Sequence, residues 1–225
     1  MVRLVQMLAV VILAVMLAGC ATLDPSPDYT GADAGFLVVA MGEGADTFYG
    51  SYKLFYRNKS DPKITGRVYF PSGLWAIKMR DYYRDDDRGG LVLIKKLPPG
   101  DYELVNFEIY NDGLHGPGGA QLTSDMWWKS KEDFSIPFKI SEGAATYVGE
   151  FKAVGMRFHP FLKGKYAVGG AYFVVSDKSD RDIAIAKQKQ PAIKKVELSV
   201  PNVDALNNPL LRSKESSPVM ESWMD

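Results

Sequence analysis

One cysteine, Cys20, and two histidines, His115 and His159, are all the thiol and imidazole chemistry that 225 residues carry. A disulfide framework is therefore excluded, and a tetrahedral Cys/His zinc site lacks ligands. An excess of one charge is missing too: 27 basic residues stand against 27 acidic ones. Such a balance leaves no electrostatic footprint for nucleic acid and no polybasic membrane patch. The apolar run Leu4–Met16, broken only by Gln6, falls short of the ~20 residues that cross a hydrocarbon layer. Catalytic signatures are absent as well. There is no HExxH pair and no Gly-x-Ser-x-Gly elbow, and no Gly-Lys-Ser/Thr follows the glycine-rich loop Asp112–Gly119. The chain reads as non-enzymatic, without cofactor or metal.

What is present begins at the N-terminus. Arg3 precedes the apolar run, and the small residues Ala18 and Gly19 stand just before Cys20. Charge, core length and small residues in that order describe an export leader. The stretch Leu17-Ala18-Gly19-Cys20 resembles the lipobox of bacterial lipoproteins. The resemblance implies that residues 1–19 are removed and that Cys20 becomes an acylated N-terminus carrying palmitate-type chains. In a Gram-negative cell, Ala21 rather than Asp after the cysteine implies the periplasmic leaflet of the outer membrane. Each buried methylene contributes ~0.8 kcal/mol, so one chain holds marginally and two or three hold durably. With Cys20 committed to lipid, no thiol remains for nucleophilic or redox work, and about 200 residues must fold on their core alone.

Residues 20–35 (CATLDPSPDYTGADAG) read as the acylated cysteine and a flexible spacer, 36–200 as one β-domain, and 201–225 as an extended arm. Phe36–Met41 is continuously apolar and suits a strand buried on both faces. Further strands are expected at Tyr49–Arg57, Gly66–Phe70, Leu91–Leu97, Tyr102–Tyr110, Phe134–Ile140, Thr146–Val154, Gly169–Ser176 and Lys194–Val200. Alternation along Tyr102–Tyr110 places Val105, Phe107 and Ile109 on the apolar side. Pro98-Pro99-Gly100-Asp101 prescribes a tight turn. Ser141-Glu142-Gly143 predicts a hairpin, and Pro137 marks its strand as an edge. One helix, capped by Ser179 or Asp180 and stopped by Pro191, is expected against a sheet edge. The sum predicts a mainly β fold: a two-sheet antiparallel sandwich with one short late helix. Leu97–Leu104 (LPPGDYEL) with Phe138–Glu150 (FKISEGAATYVGE) resembles transthyretin-like and carboxypeptidase-regulatory-like sandwich domains, and uncharacterised envelope lipoproteins. These motifs are turn chemistry, so the resemblance implies a fold and no reaction.

Candidate contact residues follow from exposure arguments. Trp127 and Trp128 sit among polar neighbours, and adjacent strand residues point to opposite faces, so at least one ring is expected to be open or half covered. The bland alternative folds both rings over the end of the sandwich. His115 lies in the glycine-rich loop, and Trp223 is a candidate docking residue near the C-terminus. The acidic run Asp85–Asp87 lacks the spacing of a calcium loop and is flanked by Arg84 and Arg88, so it reads as a solvated hairpin tip. The functional expectation is a membrane-anchored, non-catalytic envelope lipoprotein that binds or assembles with a protein partner. The alternative is cell-wall or surface carbohydrate held by exposed aromatics, and a hydrolase using the acidic run or the histidines is a third reading.

Overall fold

The computed structural model describes residues 27–44, 51–71, 82–85, 88–111, 126–158 and 167–214. In chain order the strands are β1 (Gly35–Glu43), β2 (Ser51–Asn58), β3 (Thr65–Pro71), β4 (Tyr82–Asp85), β5 (Arg88–Leu97) and β6 (Gly100–Asn111). They continue as β7 (Met126–Lys129), β8 (Ile136–Ile140), β9 (Ala144–Phe158), β10 (Ala167–Ser176), β11 (Lys195–Leu198) and β12 (Leu211–Arg212). Among the described residues there is one α-helix, α1 (Ser179–Lys189), and a short 3-10 turn at Val203–Leu206. The fold is mainly β, built as two facing sheets.

The five-stranded sheet runs β3-β2-β6-β7, with β8 extending the β7 edge along the other half of β6, and every pairing in it is antiparallel. The seven-stranded sheet runs β12-β10-β9-β1-β5-β4, with β11 beside the first half of β9. It is mixed rather than purely antiparallel: β1 with β9, β9 with β11, and β10 with β12 are parallel. Between parallel β1 and β9 the chain leaves this sheet to build the other one and returns, whereas β9 to β11 and β10 to β12 are crossovers that pass through α1. The expected hairpin at Ser141–Gly143 is in fact such a return, a corner joining β8 in one sheet to β9 in the other. Gly143, at φ 64, takes the left-handed conformation the corner needs.

The core between the sheets is aromatic. Phe173 stands at its centre with Phe107 at 5.1 Å, Phe151 at 6.0 Å and Tyr52 at 6.2 Å, all near edge-to-face. Strand β1 is buried on both faces, as its sequence predicts: Leu37, Val39 and Met41 enter this core, while Phe36, Val38 and Ala40 face the other way. That second face is covered by α1, whose Ala186 packs with Tyr83, Tyr147 and Ile193. The helix therefore lies across the middle of the seven-stranded sheet, over β1, β5 and β9, and not at a sheet edge. Its N-terminus carries no Ser179 or Asp180 side-chain cap; instead Asp177 accepts the Ser179 backbone N–H at 2.8 Å.

Two bulges change which side chains go where. Opposite β2, Val105 is the extra residue of β6, since Phe55 pairs with Asn106 and Tyr56 with Leu104. The apolar side is therefore Tyr102 and Leu104 before the bulge and Phe107 and Ile109 after it, which simple alternation did not anticipate. In β9 a second irregularity falls at Gly149, φ 108, where Val38 pairs with Tyr147 but Ala40 with Glu150.

Both flanking segments also differ from expectation. Asp28 and Tyr29, in the expected spacer, dock on β5: the Tyr29 N–H donates to the Lys96 carbonyl at 3.1 Å, and Asp28 accepts the Lys96 N–H at 3.2 Å. Strand β4 covers only the first part of β5, which leaves the Lys96 backbone open to them. The expected arm begins as part of the body, because Val203 and Leu211 are buried and β12 pairs with β10. Leu206 and Leu210 pack against the same core, and the Phe173 N–H donates to the Leu210 carbonyl at 2.9 Å, so burial and the β10 ladder together hold this proline- and asparagine-rich segment to the sheet.

Candidate binding face

With α1 on one side and the sandwich core within, the outer face of the five-stranded sheet is the broad strand surface that no described element covers. Residues on it follow from register. One row across the strands is Trp127, Tyr110, Ser51; the next is Lys129, Glu108, Lys53, Tyr69; the next is Asn106, Phe55, Arg67. Trp128 points inward and packs on the core, whereas Trp127 is 57% exposed. The Trp127 ring is not loose. It lies on Tyr110, with centroids 4.2 Å apart and planes at 37°, and the Lys53 ammonium stands 5.3 Å from its centroid. Lys53 in turn donates to the Glu108 carboxylate. An aromatic plate, a cation and an anion are thus fixed side by side.

Further down the face a second polar group is built around Glu103. The Ser135 hydroxyl and Arg57, whose Nε is 2.7 Å away, hold the Glu103 carboxyl below the ordinary glutamate value against the opposing effect of burial. Arg57 also reaches Asp133 at 3.4 Å, and the Asn106 amide donates to Asp133 at 2.9 Å. These contacts tie the loop between β7 and β8 to the sheet.

The most strongly ionic site is buried beneath α1. The Glu150 carboxylate accepts from the Tyr83 hydroxyl at 2.6 Å, Arg181 at 2.7 Å and Ser176 at 3.0 Å, with the Lys152 ammonium 3.8 Å away. Arg181 also donates to Asp182 through Nε at 2.8 Å and lies over the Tyr83 ring at 3.6 Å. Asp182 accepts the Tyr147 hydroxyl at 2.5 Å. Burial opposes ionisation of Glu150, but hydrogen bonds from Tyr83 and Arg181 prevail and keep its pKa below the usual value. At Asp182 burial prevails over the bonds from Tyr147 and Arg181, and the pKa is raised. The guanidinium thus serves Glu150 first. Burial, and the carboxylate each one bonds, push the Tyr83 and Tyr147 phenols far up, so both remain neutral donors. Each carboxylate oxygen is occupied, which suits a fastening of helix to sheet better than a reacting group.

Among the sequence candidates, the structure brings Trp127 to the open face and turns Trp128 away from it. Cys20, His115, His159 and Trp223 lie outside the described residues, as do Asp86 and Asp87. Among the described residues no group of three or more His, Cys, Asp or Glu is placed to hold a metal, and no helix is long and apolar enough to cross a membrane. Sequence reasoning missed Tyr110, Lys53 and Glu108 as neighbours of Trp127, because only the β2–β6–β7 register assembles them. It also missed the Glu150–Arg181–Asp182 group. The available signal was Glu150 in the largely apolar run of β9; Arg181 and Asp182 stand in a polar helix start that carries no such signal.

No family model matches the chain. No curated protein matches it either. Among solved structures it is similar in part to a leucine-rich repeat protein from Bacteroides thetaiotaomicron VPI-5482, at 11% identity and a TM-score of 0.31. The alignment covers 53% of this chain and 14% of that one. A likeness this slight bears on neither fold nor function.

Proposed function

We propose that this chain is a lipid-anchored, non-catalytic binding module of the bacterial envelope, and that it works through the open face of the five-stranded sheet. The observation that carries the reading is Trp127, exposed yet immobilised on Tyr110. A large aromatic left in water costs solubility, and rigid exposed aromatics are what recognition surfaces use. The position of the tether supports the same reading. Asp28 and Tyr29 bind at the Lys96 end of β5, which adjoins the start of β6 at Gly100. Residues 21–27 alone then separate acylated Cys20 from the body, at most ~25 Å even fully extended. Tyr110 lies near the other end of β6, about 33 Å along the strand from Gly100. The aromatic plate thus sits at the end remote from the anchor, where it meets whatever lies beyond the bilayer surface.

Two measurements test this. Palmitate labelling of wild type against Cys20→Ser should show label and membrane residence lost together. Hydroxyl-radical footprinting of Trp127 in intact cells, compared with the purified lipoprotein in detergent, should show the ring protected in cells. A Trp127 equally reactive in both settings would refute the binding role.

A further inference from the structure

We infer that the Trp127–Tyr110–Lys53–Glu108 patch is a saccharide site, and that its ligand is a β-linked pyranose strand of the cell wall. The inference rests on the binding-module reading and names its ligand.

The composition of the patch selects between ligand classes. A specific protein interface removes ~800 Å² per partner and centres on a cluster of apolar anchors with charge pushed to the rim. Here, among the described residues, the only exposed large hydrophobics are Trp127 and Leu198, and Leu198 lies on β11 of the other sheet. Trp127 is the one exposed large ring of this sheet among the described residues, and charged side chains stand directly beside it. A sugar ring calls for that combination. Its C–H face carries the partial positive charge that the negative face of an indole attracts. Its hydroxyls each donate and accept, and Lys53 with Glu108 offers a donor and an acceptor in one place. Hydrogen bonds to ionised partners are the stronger kind, and they discriminate among hydroxyl arrangements.

Rigidity favours the same ligand. Trp127 is held by Tyr110 beneath and Lys53 beside it, so a weak polar ligand loses little affinity to the ordering of side chains. The geometry also accommodates a polymer. Successive strands are ~4.8 Å apart, close to the length of one pyranose unit. A chain crossing from β7 over β6 and β2 towards β3 would meet Trp127, then Glu108 and Lys53, then Tyr69 opposite Lys53. β-Linked, equatorially substituted rings stay flat enough to follow such a surface. The source follows from the tether. Sugars carried on lipids of the anchoring leaflet lie at the Lys96 end, whereas the patch at the remote end meets polymer held away from the bilayer.

The experiment uses the full lipoprotein in detergent micelles, titrated with solubilised peptidoglycan glycan strands and with chitohexaose while tryptophan emission and calorimetric heat are followed. Maltoheptaose, whose α-linkages curl the chain, is the comparison probe. Wild type should bind the first two and prefer them to maltoheptaose. Trp127→Ala should weaken binding at least tenfold, Trp127→Phe should retain part of it, and Glu108→Gln should weaken it severalfold. Failure of wild type to bind any glycan overturns the inference. So does binding that Trp127→Ala leaves intact. If the glycans fail but Trp127 is protected in cells, and a photo-crosslinker at position 129 captures one defined protein, the ligand is a protein and the module reading survives. If Trp127 is unprotected in cells, the module reading fails first.

Discussion

Replacing the two carboxylates under α1 one at a time separates their roles, because their environments push them in opposite directions. Glu150, held below its ordinary pKa, contributes stability that is present above the unfolded-state value and lost as pH falls through the folded one. Asp182, held above its ordinary pKa, does the reverse: its contribution is complete only below the unfolded-state value and vanishes as pH rises past the folded one. At pH 7, Glu150→Gln keeps one acceptor but removes the charge that Arg181 bonds at 2.7 Å. Hydrogen bonds to charged groups contribute ~1.5–3 kcal/mol, and the guanidinium retains Asp182, so the cost should be about 2 kcal/mol. For a body of this size that corresponds to a fall in Tm of roughly 4–8 °C. Asp182→Asn should cost less than Glu150→Gln, since burial opposes the charged form of this side chain in the fold. Differential scanning calorimetry of the two variants at pH 7 and near pH 3.5 makes the comparison. The Glu150→Gln deficit should shrink at the lower pH as the wild-type carboxylate takes up its proton. An Asp182→Asn deficit equal to or larger than that of Glu150→Gln at pH 7 would refute the assignment. So would a Glu150→Gln deficit independent of pH.

Three other outcomes are expected. Trp128→Ala should lower stability by ~2–3 kcal/mol in urea unfolding while Trp127→Ala costs under ~1 kcal/mol, because only the first ring packs on the core. Gly149→Ala should cost ~1–3 kcal/mol, read as a lower urea midpoint, since φ 108 is a conformation that side chains rarely adopt. Truncation after Val200 should destabilise the body by ~3–5 kcal/mol through loss of buried Val203 and Leu211, and a change below ~1 kcal/mol would refute their role.

Much of the sheet content was legible because apolar runs and turn residues are local signals. Phe36–Met41 announces a doubly buried strand, Pro137 an edge, and Pro191 the end of a helix. Pairing was not legible. The Ser141–Gly143 turn is the same chemistry whether it closes a hairpin or turns a corner between sheets, and nothing nearby states which. The apolar side of β6 was legible at Phe107 and Ile109 but not at Tyr102 and Leu104 before them, because the bulge at Val105 depends on β2, some fifty positions upstream. Trp127 and Trp128 could be picked out together from their polar neighbours, and the rule that adjacent strand residues diverge says that one ring is open without saying which. Tyr110, Lys53 and Glu108 could not be joined to Trp127, because they meet only through two long-range registers. Asp182 reads on paper as a favourable charge at a helix start, yet it is fully buried against Tyr147, a consequence of where the helix docks.

The irregularity at Gly149 has a bearing on how this domain can change over time. Tyr147 and Glu150 are three positions apart, a separation that in a plain strand would send them to opposite sides, yet both reach up to the helix. One inserted residue resets the phase, so each half of β9 keeps its own alternation. Loss of that residue would rotate every position beyond it, driving a carboxylate into the aromatic interior and Phe151 out beneath the helix. Lineages descending from this sequence should therefore tolerate length changes in the loops around β9 but not within residues 148–150.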